Sequence, residues 1–176
     1  MWGERPVTFA RRRFDRPTVD LARLSPRMRR WADDLLVPKV LVANQTRVVE
    51  AVVGGAGAWL PGVPTLTARP APGVDPWALA AVLTSPVATA WAWHRAAGTG
   101  LAARSVRLGP RWLIELPWPA GELEPAVAAL RAGDVGACGN AMAQAYGVDA
   151  AGELGAWWAQ GLPSGVPVPA TSSHPT

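Results

Sequence analysis

The sequence predicts a mixed α/β (α+β) fold, with a small, mostly antiparallel sheet and helices packed on it. Three observations carry this. Lys39-Val40-Leu41-Val42-Ala43 and Thr46 to Val53 are β-branched runs joined by a polar corner, Asn44-Gln45-Thr46. Gly54-Gly55-Ala56-Gly57 follows, and supplies the positive-φ positions that a hairpin needs. Serine or aspartate directly before proline recurs at Ser25-Pro26, Asp75-Pro76 and Ser85-Pro86, a signature of helix starts.

Taken in order, residues 1–37 form a basic arm and a lead-in helix. Arg11-Arg12-Arg13-Phe14-Asp15-Arg16-Pro17 reads as a loop or arm anchored by Phe14. Asp20 to Leu24 suits a short helical turn. Ser25-Pro26 opens a helix through Leu36, with Met28, Trp31 and Leu35 on one stripe and Arg27, Arg29 and Arg30 largely off it. Val37-Pro38 ends it. Lys39 to Ala43 is nearly continuous in apolar residues, as a buried strand is. Thr46 to Val53 carries two charges, which gives it one wet face. Ala58-Trp59-Leu60 and Pro64 to Ala68 are the candidate returning strands.

Arg69 to Gly73 is a linker. Asp75 caps a helix that begins at Pro76, breaks at Ser85-Pro86 and runs on to Ala97, where Gly98-Thr99-Gly100 closes it. Its run of Trp77, Leu79, Val82 and Leu83 is too apolar to stand in water. A short alternating strand lies within Leu101 to Leu108. Trp112 to Pro119 reads as another short apolar strand ended by its prolines. Residues 123–130 are an amphipathic helix, and residues 139–146 and 152–160 are two further short helices. The central domain is thus 38–135, short helices fill 136–162, and 163–176 is a Pro/Ser/Thr-rich tail with the composition of disorder.

Charge is divided along the chain. Residues 1–47 hold eleven Lys/Arg against five Asp/Glu, whereas residues 48–176 hold six against eight. A basic N-terminal quarter suits a polyanion, and equally suits a solvated surface. Cys138 is the single cysteine, which excludes an intrachain disulfide and a cysteine-rich metal site. Arg11-Arg12-Arg13 is followed by no apolar run, and no stretch approaches the roughly 20 apolar residues of a membrane span. A cytoplasmic protein is the expectation.

Catalytic chemistry is thinly supplied. Gly54 to Gly57 lies between two strand-like runs and lacks the lysine of a phosphate-binding loop. A Gly-x-Ser-x-Gly elbow is absent, and histidine occurs only at His94 and His174. Glu122 and Glu124 sit near a helix start, where they favour its dipole. Binding groups are better supplied, because Lys39, Asn44, Gln45, Thr46 and Arg47 crowd one corner. Asn and Gln match the adenine edge, Arg matches guanine, and Arg and Thr also hold phosphates. Asn44-Gln45 alternatively satisfies its own turn.

The order of these segments adds a resemblance. KVLVANQTRVVEAVV, then GAWLPGVPTLTA, then WALAAVLTSPVATAWAWHRAAGTG, then RSVRLGPRWLIELPWP resembles the C-terminal target-recognition region of adenine-specific DNA methyltransferases. More loosely, it is similar to the specificity domains of type I restriction-modification systems. The matching elements are Pro38-Lys39-Val40-Leu41, Leu83-Thr84-Ser85-Pro86 and Leu116-Pro117-Trp118-Pro119, and the likeness spans roughly residues 33–130.

The resemblance implies a module that docks double-stranded DNA beside a catalytic domain, with Arg11, Arg12, Arg13, Lys39, Asn44, Gln45, Thr46 and Arg47 as its DNA-facing group. The (Asn/Asp)-Pro-Pro-(Tyr/Phe) motif that holds the flipped adenine in an N-6 DNA methylase is missing. So is a glycine-rich loop for S-adenosylmethionine. The expectation is therefore no catalytic residue and no cofactor in this chain, which is read as a truncated or separately encoded specificity part. The cofactor and the methyl transfer then belong to a methyltransferase catalytic domain or subunit as partner. The competing expectation is a protein-interaction or degenerate module, since ten tryptophans suffice for an exposed aromatic surface.

Overall fold

The computed structural model describes residues 7–9, 12–14, 18–62, 64–100 and 105–162. Most of the N-terminal arm and the tail 163–176 lie outside these residues, as do the side chains of residues 1–17. Two short antiparallel strands, β1 (Val7–Phe9) and β2 (Arg12–Phe14), come first, and a 3-10 turn (Leu21–Arg23) leads to α1 (Pro26–Leu35). Ser25 caps α1, its hydroxyl accepting from the Met28 N–H at 3.4 Å.

The central sheet has β3 (Lys39–Ala43) in its middle, flanked by β5 (Ala51–Gly54) and β6 (Thr65–Ala68) in the order β5-β3-β6. Both pairings are antiparallel, with Val40 opposite Val53 on one side and Ala68 on the other. Val40 and Val42 lie two apart on one face of the strand and are both 0% exposed, whereas Leu41 on the opposite face is half-buried. A second ladder joins β4 (Gln45–Thr46) to β7 (Val106–Arg107).

Two strand expectations are corrected. Thr46 to Val53 is not one strand, because the chain bends after Thr46 and pairs again only from Ala51. Val48 and Val49 are buried against helices instead of lying in a ladder. The Val49 N–H donates to the Thr89 hydroxyl at 3.1 Å, so its hydrogen bond goes to a helix side chain. Ala58-Trp59-Leu60 forms no strand either, and the chain after the glycines crosses to the far edge of β3. Gly57 makes that turn possible. Its φ is +67°, and a Cβ there would sit 3.0 Å from the Val37 backbone.

The helices follow their local signals. α2 (Pro76–Leu83) and α3 (Pro86–Ala96) are capped by Asp75 and Ser85, whose oxygens accept from Trp77 N–H and Ala88 N–H, each at 3.0 Å. The strand expected over Trp112 to Pro119 is not formed: its first three residues belong to α4 (Pro110–Ile114), and residues 115–119 are turn and irregular chain. Pro110 presets the first turn of α4, and Arg111 reaches Glu115 at 2.8 Å one turn on. α5 (Glu124–Ala132), α6 (Val135–Ala145) and α7 (Glu153–Gly161) complete the described chain.

α2 lies on the sheet against β5 and β3, and α5 and α6 pack on α2 and on each other. Ala80, Ala81, Val82 and Leu83 are buried there with Val127, Leu130, Cys138 and Met142, while Trp77 and Leu79 are half-buried at the rim. Burial, with Asp134 nearby as a lesser cause, pushes the Cys138 thiol up to about 12. The Met28, Trp31 and Leu35 stripe of α1 faces outward over most of its length, with Met28 and Trp31 each 44% exposed.

Candidate nucleic-acid interface

The polar corner lies where the two sheets meet. Asn44 ties them through its backbone, its N–H donating to the Pro64 carbonyl at 3.0 Å and its carbonyl accepting from Leu108 N–H at 2.7 Å. In the β4–β7 ladder Thr46 faces Val106 and Gln45 faces Arg107. Successive side chains of a strand alternate between faces. Thr46 and Val106 are buried, so Gln45 and Arg107 take the outer face together. Arg107 is exposed and Gln45 half-buried. The Arg107 N–H also donates to the Thr99 hydroxyl at 3.1 Å, which fixes the second edge of β7.

Arg47 follows directly and is exposed. Its carbonyl accepts from the Trp93 indole at 2.8 Å, and Trp93 meets Trp157 edge to face at 6.3 Å. α3 thus holds the Arg47 to Val49 bend at two points, through Thr89 and Trp93. Among the described residues, no hydrogen bond or ion pair engages the side chains of Asn44, Gln45, Arg47 or Arg107.

Other members of the anticipated group are placed differently. Lys39 is 0% exposed, and its ammonium donates to the Leu35 and Val37 carbonyls at 2.6 and 3.1 Å. It closes the C-terminal end of α1, where a cation is favoured. Burial, and then the charge of Arg69, hold its pKa below the usual lysine value. The Thr46 hydroxyl is directed inward, to the Val48 carbonyl and to the Glu50 carboxylate, the latter at 3.0 Å. Lys39 and Thr46 therefore hold the corner together from inside and present no group to a ligand. Arg12 and Arg13 are in β2, their side chains outside the described residues together with all of Arg11.

Arg107 is the residue that sequence reasoning did not select. It comes from the part of the chain with an acidic balance, far in sequence from the basic segment 1–47. The available signal was the alternation Ser105-Val106-Arg107-Leu108, which turns Arg107 away from two buried neighbours. Further along, Arg95 stacks on Trp91 at 3.3 Å and, like Arg111, faces Glu115. These arginines are engaged within the chain.

Among the described residues no group of three His, Cys, Asp or Glu is placed to hold a metal ion. No described helix is long and apolar enough to cross a membrane. No family model, curated protein or solved structure matches this chain.

Proposed function

We propose that this chain is a double-stranded DNA recognition module of an adenine-specific methyltransferase system, working beside a separate catalytic domain that binds S-adenosylmethionine. The observation that carries the reading is the outer face of the β4–β7 ladder. It presents Gln45 and Arg107 side by side, with Arg47 next in the chain, and among the described residues none of the three is engaged by another side chain. Cationic and amide groups held on a rigid element and left without internal partners suit a polyanion with hydrogen-bonding edges. The basic balance of residues 1–47 supports the same partner, as does the order of motifs shared with methyltransferase recognition regions.

The experiment is a duplex-binding titration across salt concentrations. Binding that weakens linearly on a log–log salt plot, by about 0.9 per phosphate neutralised, is the expected result. Absence of binding at low salt would refute the reading. Labelled methyl transfer by the isolated chain would refute the assignment of catalysis to a partner.

One observation favours a second reading, a protein-docking module. Met28 and Trp31 are exposed on α1 and, with Arg27, line a shallow hollow of about 410 Å³. Trp, Met and Arg are the residue types enriched at protein interfaces. A partner captured through this face with no affinity for DNA would favour that reading.

A further inference from the structure

The β4–β7 ladder is a two-stranded antiparallel ribbon, and the major groove of B-form DNA is about 12 Å wide, enough for such a ribbon. Residues directly opposite each other in a ladder have Cβ atoms about 4.5–5.5 Å apart. Successive base pairs are separated by about 3.4 Å along the axis. Gln45 and Arg107, opposite each other on the outer face, are thus separated by one to two base-pair steps, and their long side chains can converge on adjacent base pairs.

Their chemistry differs in a useful way. The glutamine amide pairs a donor and an acceptor, which matches N6 and N7 of adenine. The arginine fork has two parallel donors, which match O6 and N7 of guanine. Both interactions use a purine N7.

The two residues are held from beneath at several points. Thr46 and Val106 anchor the inner face, Leu108 N–H bonds to the Asn44 carbonyl at 2.7 Å, and Thr99 holds the outer edge of Arg107. Glu50 is engaged by the Thr46 hydroxyl and Glu115 by Arg111.

We infer that Gln45 and Arg107 form a paired base reader, which recognises an adenine and a guanine on adjacent base pairs through their N7 edges in the major groove. This rests on the DNA-binding reading above and adds what the site selects. Arg107 is a specificity residue here, whereas a phosphate-bound arginine would act on every sequence alike.

The test uses the full chain, with the catalytic partner if one is identified. Short random duplexes are selected for binding, and the enriched duplex is remade with 7-deazaguanine or 7-deazaadenine, which lack the N7 acceptor. Wild type should lose on the order of 10-fold in affinity with either analogue. Arg107→Ala should become insensitive to 7-deazaguanine and keep its sensitivity to 7-deazaadenine, and Gln45→Ala should show the reverse. Arg107→Lys, which keeps the charge and removes the fork, should retain the salt slope and lose the preference for guanine. That variant guards against a folding artefact.

Duplex binding with no enriched sequence, or with equal tolerance of both analogues, overturns the base reader and leaves the DNA module standing. The same follows if Arg107→Ala remains fully sensitive to 7-deazaguanine. Failure to bind any duplex removes both.

Discussion

The ammonium nitrogen of Lys39 lies 2.6 Å from the carbonyl oxygen of Leu35, the last residue of α1. This bond, with a second to Val37 at 3.1 Å, fastens the exposed helix to the first residue of the central strand. Lys39→Met would leave both carbonyls without that donor, at an expected cost of about 1–3 kcal/mol. Urea unfolding should register the loss, while the salt slope of DNA binding should stay at its wild-type value. A reduced slope would return Lys39 to the group that touches phosphate.

Thr89 is a sharper probe of the bend that carries Arg47. Its hydroxyl accepts from the Val49 N–H at 3.1 Å and donates to the Ser85 carbonyl at 3.0 Å. Thr89→Val keeps the shape and strands a buried N–H, so about 1–3 kcal/mol of stability should be lost. Chemical denaturation checks this, and an unchanged midpoint would show that the bend is held by other means.

The arm and the corner should respond differently to mutation. Replacing Arg11, Arg12 and Arg13 with alanine should weaken binding about equally on every duplex, and lower the salt slope by about 0.9 for each phosphate no longer neutralised. Gln45→Ala or Arg47→Ala should cost on the order of 1–3 kcal/mol on the preferred site and relax sequence choice wherever the residue reads a base edge. Competition binding in salt titrations separates the two patterns. Uniform losses at Gln45 and Arg47 would assign them to positioning.

Cys138 supplies a pH prediction. Its thiol is raised from 9.0 to about 12, chiefly by burial. A group with a raised native pKa favours folding below its unfolded pKa, and that contribution is lost as pH climbs through the interval up to the native value. Wild type should therefore lose stability relative to Cys138→Ala as pH rises from about 9 towards 12. At neutral pH, alkylation of the native thiol should be slow and should accelerate in denaturant. Fast labelling of the folded chain would contradict its burial.

Helices are legible where the signal is local. Ser25-Pro26, Asp75-Pro76 and Ser85-Pro86 each place a capping oxygen beside a residue preset for a first turn, and each begins a helix. Strand extent is harder to read, because a valine reports burial and says little about its partner. Val48 and Val49 have strand-like side chains, yet the hydrogen bond of Val49 goes to Thr89, forty positions away. Trp112-Leu113-Ile114 misleads for a related reason, since three apolar residues fit either period. At the corner, sequence alone places Gln45 and Arg47 in the surface group. It does not show that Lys39 and Thr46 turn inward or that Arg107 arrives opposite Gln45. Each of these depends on how the folded chain brings separate segments together.

The ladder between β4 and β7 has a consequence for when the outer face comes into being. β3 finds both of its partners in the chain that follows directly, through Thr65–Ala68. Gln45 meets Arg107 only after β5, β6, α2 and α3 have been threaded between them. Closing so long a loop is opposed by chain entropy until the intervening helices are seated. The central sheet can thus assemble from neighbours, whereas the Gln45–Arg107 face should form late and be lacking in a half-folded chain. The Leu108 amide, bonded across that closure to Asn44, is its natural clock: the moment it resists hydrogen exchange is the moment the face exists.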